Sequence, residues 1–392
     1  MSGGRKGGIA AGAGLGRRHP AVRRLAEASL VLLFVLLPAL VVGTQLDAPA
    51  TVGELRRLTA VLGTGPVGEA HSLVADRFYV VALGELPRTM PDTDAAQAAL
   101  LARARLGQFA FVAALAALVY LALALARGRV AGLCACAALA LLPPVLREGH
   151  VLRPETPAAV FGLFAIVLLQ CLARLGVGSR GPLGLGAFVQ AFGLVTCACV
   201  ALGVSYAALP TTSLLLVVPG CVLSLAVLQH GWRAVQVVRR RGLIRLPLHS
   251  LNRRLLPWTA ASLLAPLGVA LVVHLAVQGP TEALSPTVAV YGLGPSAAGW
   301  RLAVGALAVF GGVAAVLRVG GRFGRRGRIG ADLVLLVYCA VQLAWHLANP
   351  SQHDALRIAP AFAILLGDGV LSLGALGFGL RRRARITSAP RA

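Results

Sequence analysis

Lysine is all but missing from this chain, acids are few, and aromatic side chains are scarce. Lys6 stands alone beside 36 arginines, Asp and Glu together number 14, and Phe, Trp and Tyr make up 5% of the 392 residues. Charged residues of either sign reach only 13%, about half the share found in soluble domains, which excludes an ordinary water-facing globule. The shortage of rings leaves few platforms on which a ligand could stack. The one glycine-rich basic string near the start, GGRKGG (3–8), lacks the spacing of a phosphate-cradling loop. Seven cysteines (Cys134, Cys136, Cys171, Cys197, Cys199, Cys221 and Cys339) all fall inside apolar runs, and the pairs Cys134/Cys136 and Cys197/Cys199 have no His or carboxylate near enough in sequence to complete a metal site. They read as small apolar packers inside helices, and no metal is expected from them.

What the chain has in abundance is lipid-soluble helix. Hydrophobic residues make up 57%, mean hydropathy is +0.79, and a bilayer core takes about 20 consecutive apolar residues per helix. Ten stretches meet that measure: about 25–44, 108–126, 130–146, 155–173, 183–204, 208–230, 257–278, 300–317, 330–348 and 358–379. The expected fold class is therefore all-α, a polytopic integral membrane protein of about 10 transmembrane helices. The basic leader before the first stretch is like that of a signal sequence. Its apolar run is long, however, and no small-x-small site closes it before Thr44, so it reads as an uncleaved first helix. The richness in Ala, Gly and Leu, with Arg in place of Lys, suits a GC-rich bacterial genome, and the bacterial inner membrane is the expected location.

Charge then sets direction. With the N-terminus inside and ten crossings, the inward segments and adjoining helix ends hold 27 of the 37 basic residues and three acids, Glu27, Asp332 and Asp368. The outward segments hold ten Arg and eleven acids. Inner loops such as RRRGLIRLPLHSLNRR (239–254) and RVGGRFGRRGR (318–328) satisfy the positive-inside rule, so both termini are expected in the cytoplasm. The net charge of +23 reads as a basic rim beside anionic headgroups, with no nucleic acid as partner. Residues 1–24 and 381–392 are thus basic cytoplasmic ends around a membrane domain of 25–380, whose long extracytoplasmic loop runs 45–105.

Long ordered loops carry function more often than short ones. In this one, Val52, Leu55, Leu58 and Leu62 recur at helical spacing with Glu54, Arg56 and Arg57 between them, and Leu73, Phe78, Val81 and Leu83 repeat the pattern. The spacing predicts two amphipathic interfacial helices flanking a GTGPVG hinge. Asp47, just past the first stretch, has no basic residue within eight positions. It is either a solvated loop acid or a base held near a substrate. The joint between the third and fourth stretches, REGHVLRPETPAAVFG (147–162), gathers Arg147, Glu148, His150, Arg153 and Glu155. Pro154 and Glu155 suit the start of a helix, where free N–H groups and the dipole favour an acid. Five ionisable groups exceed what capping needs, and Arg147, His150 and Arg153 would make a phosphate-binding edge.

Further outward candidates are Arg103 and Arg105 ahead of the second stretch, Tyr206 in a tight turn at 205–209, and His353, Asp354 and Arg357 before the last stretch. Asp368, inside that last stretch, is either a functional intramembrane acid or, between Gly367 and Gly369, a polar contact between packed helices.

One helix, a long outer loop opened by an acid, an Arg-bearing approach to the second helix, then a short outer loop reading Arg153-Pro154-Glu155 into the fourth: this order resembles the GT-C membrane glycosyltransferases. Within them it is most similar to the branch of protein O-mannosyltransferases and lipid A aminoarabinose transferases. The strings that carry the likeness are LLARARLGQFAFVAALAALVYLALALARGRVAGLCACAALALLPPVLREGHVLRPETPAAVFGLFAIVLL (100–169) and HDALRIAPAFAILLGDGV (353–370).

The resemblance implies an inverting transfer of a sugar from a polyprenyl-phosphate donor to a glycan, lipid or protein acceptor on the extracytoplasmic side. It implies Asp47 as the base that takes the acceptor hydroxyl's proton and Glu155 as a second acid. Arg103, Arg105, Arg153 and Arg357 would bind the donor phosphate through their planar forks, with His150 and Tyr206 in support. The lipid-linked donor and membrane lipids are the expected partners, no cofactor beyond that donor is implied, and a divalent metal is left open. No Asp-x-Asp string lies in the inward segments, so no nucleotide-sugar site is expected there. Asp47 is followed by Ala48 where many family members have two adjacent acids, and the large soluble C-terminal domain of some relatives is not expected after RRRARITSAPRA. The single acid keeps a second reading alive, a non-catalytic GT-C-like scaffold. A transporter or flippase of a lipid-linked substrate is the third, and would show internal repeats with polar sites at mid-depth.

Overall fold

The computed structural model describes residues 20–44, 50, 54–55, 58, 93–178, 185–241, 255–268, 306–319, 330–348 and 355–388. Every regular element among them is helical: α1 (Pro20–Gly43), α2 (Asp94–Arg127), α3 (Arg129–Leu141), α4 (Pro143–Glu148), α5 (Glu155–Gly178), α6 (Leu185–Ala208), a 3-10 turn (Pro210–Leu216), α7 (Val217–Arg241), α8 (Leu255–Gly268), α9 (Ala306–Val319), α10 (Ala331–Ala348) and α11 (Ala355–Ser388). Five helical segments are long and apolar enough to cross a membrane: Asp94–Arg127, Glu155–Leu175, Gly186–Ala208, Ala331–Ala348 and Leu356–Gly377. Glu27–Gly43, Arg129–Leu141, Thr212–Leu228, Leu255–Gly268 and Ala306–Val319 are shorter apolar helices. Each of the ten predicted stretches overlaps one of these ten segments.

The ends differ from the sequence reading, for local reasons. Residues 94–105, read as the end of the long loop, are the first turns of α2, because DAAQAALLARAR is built of strong helix formers. Thr93 caps the start by accepting the Ala96 N–H at 3.4 Å. At 34 residues, α2 is about 51 Å long and overshoots a hydrocarbon core of roughly 30 Å. The third stretch ends early, at Leu141, because Pro143 and Pro144 have no N–H to extend the ladder and force Leu142 into an extended conformation. The expected tight turn at 205–209 is instead the last turn of α6, and the chain turns at Leu209. At the C-terminus, α11 continues through the basic tail to Ser388.

Gly128 alone joins α2 to α3. Its φ of 103° is one that L side chains rarely adopt, and its N–H closes α2 on the Ala124 carbonyl at 2.9 Å. Burial separates centre from rim: 67% of the apolar stretch of α5 and 61% of that of α11 are buried, against 39% for α2 and for α6. The broadest packing is of α5 on α6, α3 on α11, and α2 on both α3 and α5. Glycine lets several helices cross closely. A Cβ on Gly367 would come within 2.7 Å of the Ala135 backbone, and one on Gly311 within 2.0 Å of the Leu365 carbonyl oxygen.

Polar side chains tie the interior where no water competes. Gln170 on α5 donates to the carbonyls of Ala122 on α2 and Ala331 on α10, both at 3.0 Å. Ser205 Oγ on α6 donates to the Ala158 carbonyl of α5 at 2.8 Å, and the Cys136 thiol of α3 to the Ala116 carbonyl of α2 at 3.2 Å. Outside, Leu33, Val189, Phe192, Leu263 and Leu317 are exposed, an apolar surface that fits lipid and not water.

Candidate functional site

Charged side chains gather at two levels of the bundle, marked on α2 by Arg105 and by Arg127, about 33 Å apart along the axis. At the Arg127 level, Asp368 of α11 accepts hydrogen bonds from Arg127 and, at 2.6 Å, from Arg318 of α9. Arg127 also donates to Ser372 Oγ at 3.1 Å. Of the two meanings open for Asp368, the structure has the contact between packed helices. A small open cleft runs beside it between α2, α9, α10 and α11. Arg129 and Glu27 form an exposed pair nearby.

The Arg105 level is built from a loop and helix ends. Arg105 faces inward, 1% exposed, and its Nε and Nη2 donate to the two carboxylate oxygens of Glu54 at 3.1 and 2.9 Å. Glu54 is fully buried, and its Oε1 also accepts the Leu152 N–H at 3.4 Å. One turn along α2, Gln108 Nε2 donates to Thr156 Oγ1 at 2.8 Å, with both side chains buried. Leu58, one turn from Glu54, packs with Leu100, Leu101, Ala104 and Leu152. Residues 54, 55 and 58 are helical. Where the sequence suggested a polar face for Glu54, the structure turns it inward with Leu58, because the buried Arg105 needs an acid beside it.

Around this frame lie most of the described candidates. Arg103 is exposed; two residues from Arg105, it points to nearly the opposite face of α2. His150, Arg153 and Glu155 are half-buried along the turn into α5, with Glu155 in the helix's first turn, where the dipole favours a carboxylate. Tyr206 is half-buried in the last turn of α6, at the same end, since neighbouring Ser205 bonds to Ala158. Arg357, 2% exposed in the first turn of α11, holds its guanidinium carbon 5.9 Å from the centre of the Trp345 ring, a cation–π contact. Asp47, His353, Asp354 and the side chains of Arg147 and Glu148 lie outside the described residues, as do the second predicted interfacial helix and the GTGPVG hinge. Among the described residues no three His, Cys, Asp or Glu side chains converge as metal ligands do.

Sequence reasoning missed the Glu54–Arg105 pair, the Gln108–Thr156 bond and the Trp345 contact. A signal existed for the first alone: Glu54 stands four residues before Leu58, on the side of the helix that has to pack. Chemically, Arg153 and Glu155 sit half-buried side by side at the start of α5, with Arg103 exposed on another face of α2. Arginine forks suit a phosphate, and a carboxylate at a helix start suits a hydroxyl or an amine beside it.

The fold resembles that of an archaeal oligosaccharyltransferase. The crystal structure of the Archaeoglobus fulgidus oligosaccharyltransferase in the apo form superposes on 95% of this chain with a TM-score of 0.55 at 12% identity. The oligosaccharyltransferase AglB from the same organism, solved with an inhibitory peptide and a dolichol-phosphate, superposes on 94% with a TM-score of 0.53 at 13% identity. This chain spans 53% of the length of each. At such identity the likeness is one of fold, and it does not single out the O-mannosyltransferase and aminoarabinose transferase branch. No protein-family profile matches the sequence, and no curated protein does.

Proposed function

We propose that the protein is a membrane glycosyltransferase of the GT-C type, moving a sugar from a polyprenyl-phosphate-linked donor to an acceptor on the extracytoplasmic side. The observation that carries this reading is the shared fold with an oligosaccharyltransferase over nearly the whole chain. That AglB was solved with a dolichol-phosphate, a lipid-borne anion, supports a donor of the same chemistry. In this reading each of the ten apolar helices crosses the bilayer, the termini are cytoplasmic, and the Arg105 end faces outward.

The reaction is a single displacement. Asp47 takes the proton of the acceptor hydroxyl as its oxygen bonds to the anomeric carbon. The bond from that carbon to the phosphate oxygen breaks from the opposite face, and the lipid phosphate leaves with the electron pair. Arg153 and Arg357 hold that phosphate and stabilise the charge gathering on it, while Glu155 orients donor or acceptor; Arg103, on the far face of α2, has no part in holding it. Arg105, engaged with Glu54, frames the site from behind.

The test is a mass profile of envelope glycans and glycolipids in a deletion strain complemented with wild type, Asp47→Asn or Glu155→Gln at matched membrane abundance. A sugar-sized increment lost on deletion, restored by wild type and absent with Asp47→Asn is the expected result. Equal restoration by Asp47→Asn removes Asp47 from the chemistry and moves the scaffold or transporter reading ahead.

A further inference from the structure

We infer that Glu54 is a positioning residue, holding the turn that presents His150, Arg153 and Glu155 in fixed register against the first loop. What that turn does rests on the transferase reading; how it is held does not.

Three observations converge. First, the buried Glu54 carboxylate joins three separate segments, receiving two donors from Arg105 on α2 and the backbone N–H of Leu152 in the turn. A carboxylate with no water around it persists only when paired and hydrogen-bonded, so the three segments are tied together or the acid is stranded. Second, the turn is held on both sides. Leu152 and Thr156 are buried and anchored to Glu54 and Gln108, whereas Arg153 and Glu155 between them are half-exposed. Pinning the residues on either side limits where these two half-buried side chains can point. Third, the anchors form a ladder on one face of the α2 overhang: Leu101 and Ala104 against Leu58, Arg105 against Glu54, Gln108 against Thr156. The part of α2 beyond what a bilayer needs is thus the platform that sets loop and turn against each other.

The test uses the full-length protein in lipid nanodiscs and in the complemented deletion strain, as wild type, Glu54→Gln and Glu54→Asp. Hydrogen exchange read by mass spectrometry is expected to rise by about tenfold across 149–156 in Glu54→Gln, the effect of weakening a charged hydrogen bond, with residues 361–370 of α11 unchanged. The restored glycan increment is expected to fall by about tenfold, and to fall no further when Arg153→Ala is combined with it, because Glu54 acts through that turn. Glu54→Asp, which keeps the charge and shortens the reach, should lie between. Unchanged exchange across 149–156 overturns the inference, as does a rise throughout the protein, which would make Glu54 a general folding residue. A local rise with the increment fully restored also overturns it. If wild type restores no increment, the transferase reading fails on its own, and the exchange result still decides whether Glu54 holds the turn.

Discussion

Both ends of the bundle bury an acid against arginine, but from different parts. Asp368 is shared by arginines from two other helices, so all three members ride on apolar helices and the contact closes on itself. Glu54 comes from the first loop, and binds both Arg105 and the backbone of a turn. The first arrangement fastens helix to helix. The second fastens loop to helix end, beside the half-buried Arg153 and Glu155. The same chemical pairing serves architecture at one end and presentation at the other.

The sharpest way to break that contrast is to remove Asp368. Asp368→Ala leaves the half-buried Arg127 and Arg318 without the acid they share, a loss of about 2–3 kcal/mol, read as a lower unfolding midpoint of the purified protein; wild-type stability would deny it a fastening role. Next comes Glu155→Gln, expected to lower transfer by about 100-fold with the unfolding midpoint unmoved. A stability loss without a transfer loss would place Glu155 with the fastenings. Arg357→Lys keeps the charge but gives up the planar contact with Trp345, and should weaken retention of the lipid-linked donor by roughly fivefold, about 1 kcal/mol, measured as donor KM. Smallest is Arg129→Ala. Its pair with Glu27 is exposed, so the change should stay within about 0.5 kcal/mol and vanish in high salt.

Apolar run length is a local property, and for that reason all ten stretches were legible and each overlaps a helix. The limits of the helices are harder to read. Hydropathy is blind to helix propensity, so the Ala- and Arg-bearing start of α2 looks like loop, and averaging over a window hides the Pro143–Pro144 stop in the third stretch. The polar frame is less legible still. Glu54 and Arg105 are 51 residues apart, Arg127 and Asp368 241 apart, and no spacing or period marks partners at that distance. Asp368 was half visible, because the glycines on either side announce close packing. The joint at 147–155 was visible as an excess of charge beyond capping, although which of its residues face inward depends on α2.

The Asp368 contact also bears on how the protein is made. An acid on an apolar helix is costly to bring into the bilayer without a partner, and α11 follows α2 and α9 in sequence. Arg127 and Arg318 precede it in sequence, so both leave the ribosome earlier and stand waiting when Asp368 emerges. The early helices thereby become a receptor for α11. A nascent chain lacking α9 would offer Asp368 only one of its two arginines, and α11 should dwell longer at the translocation machinery before it settles.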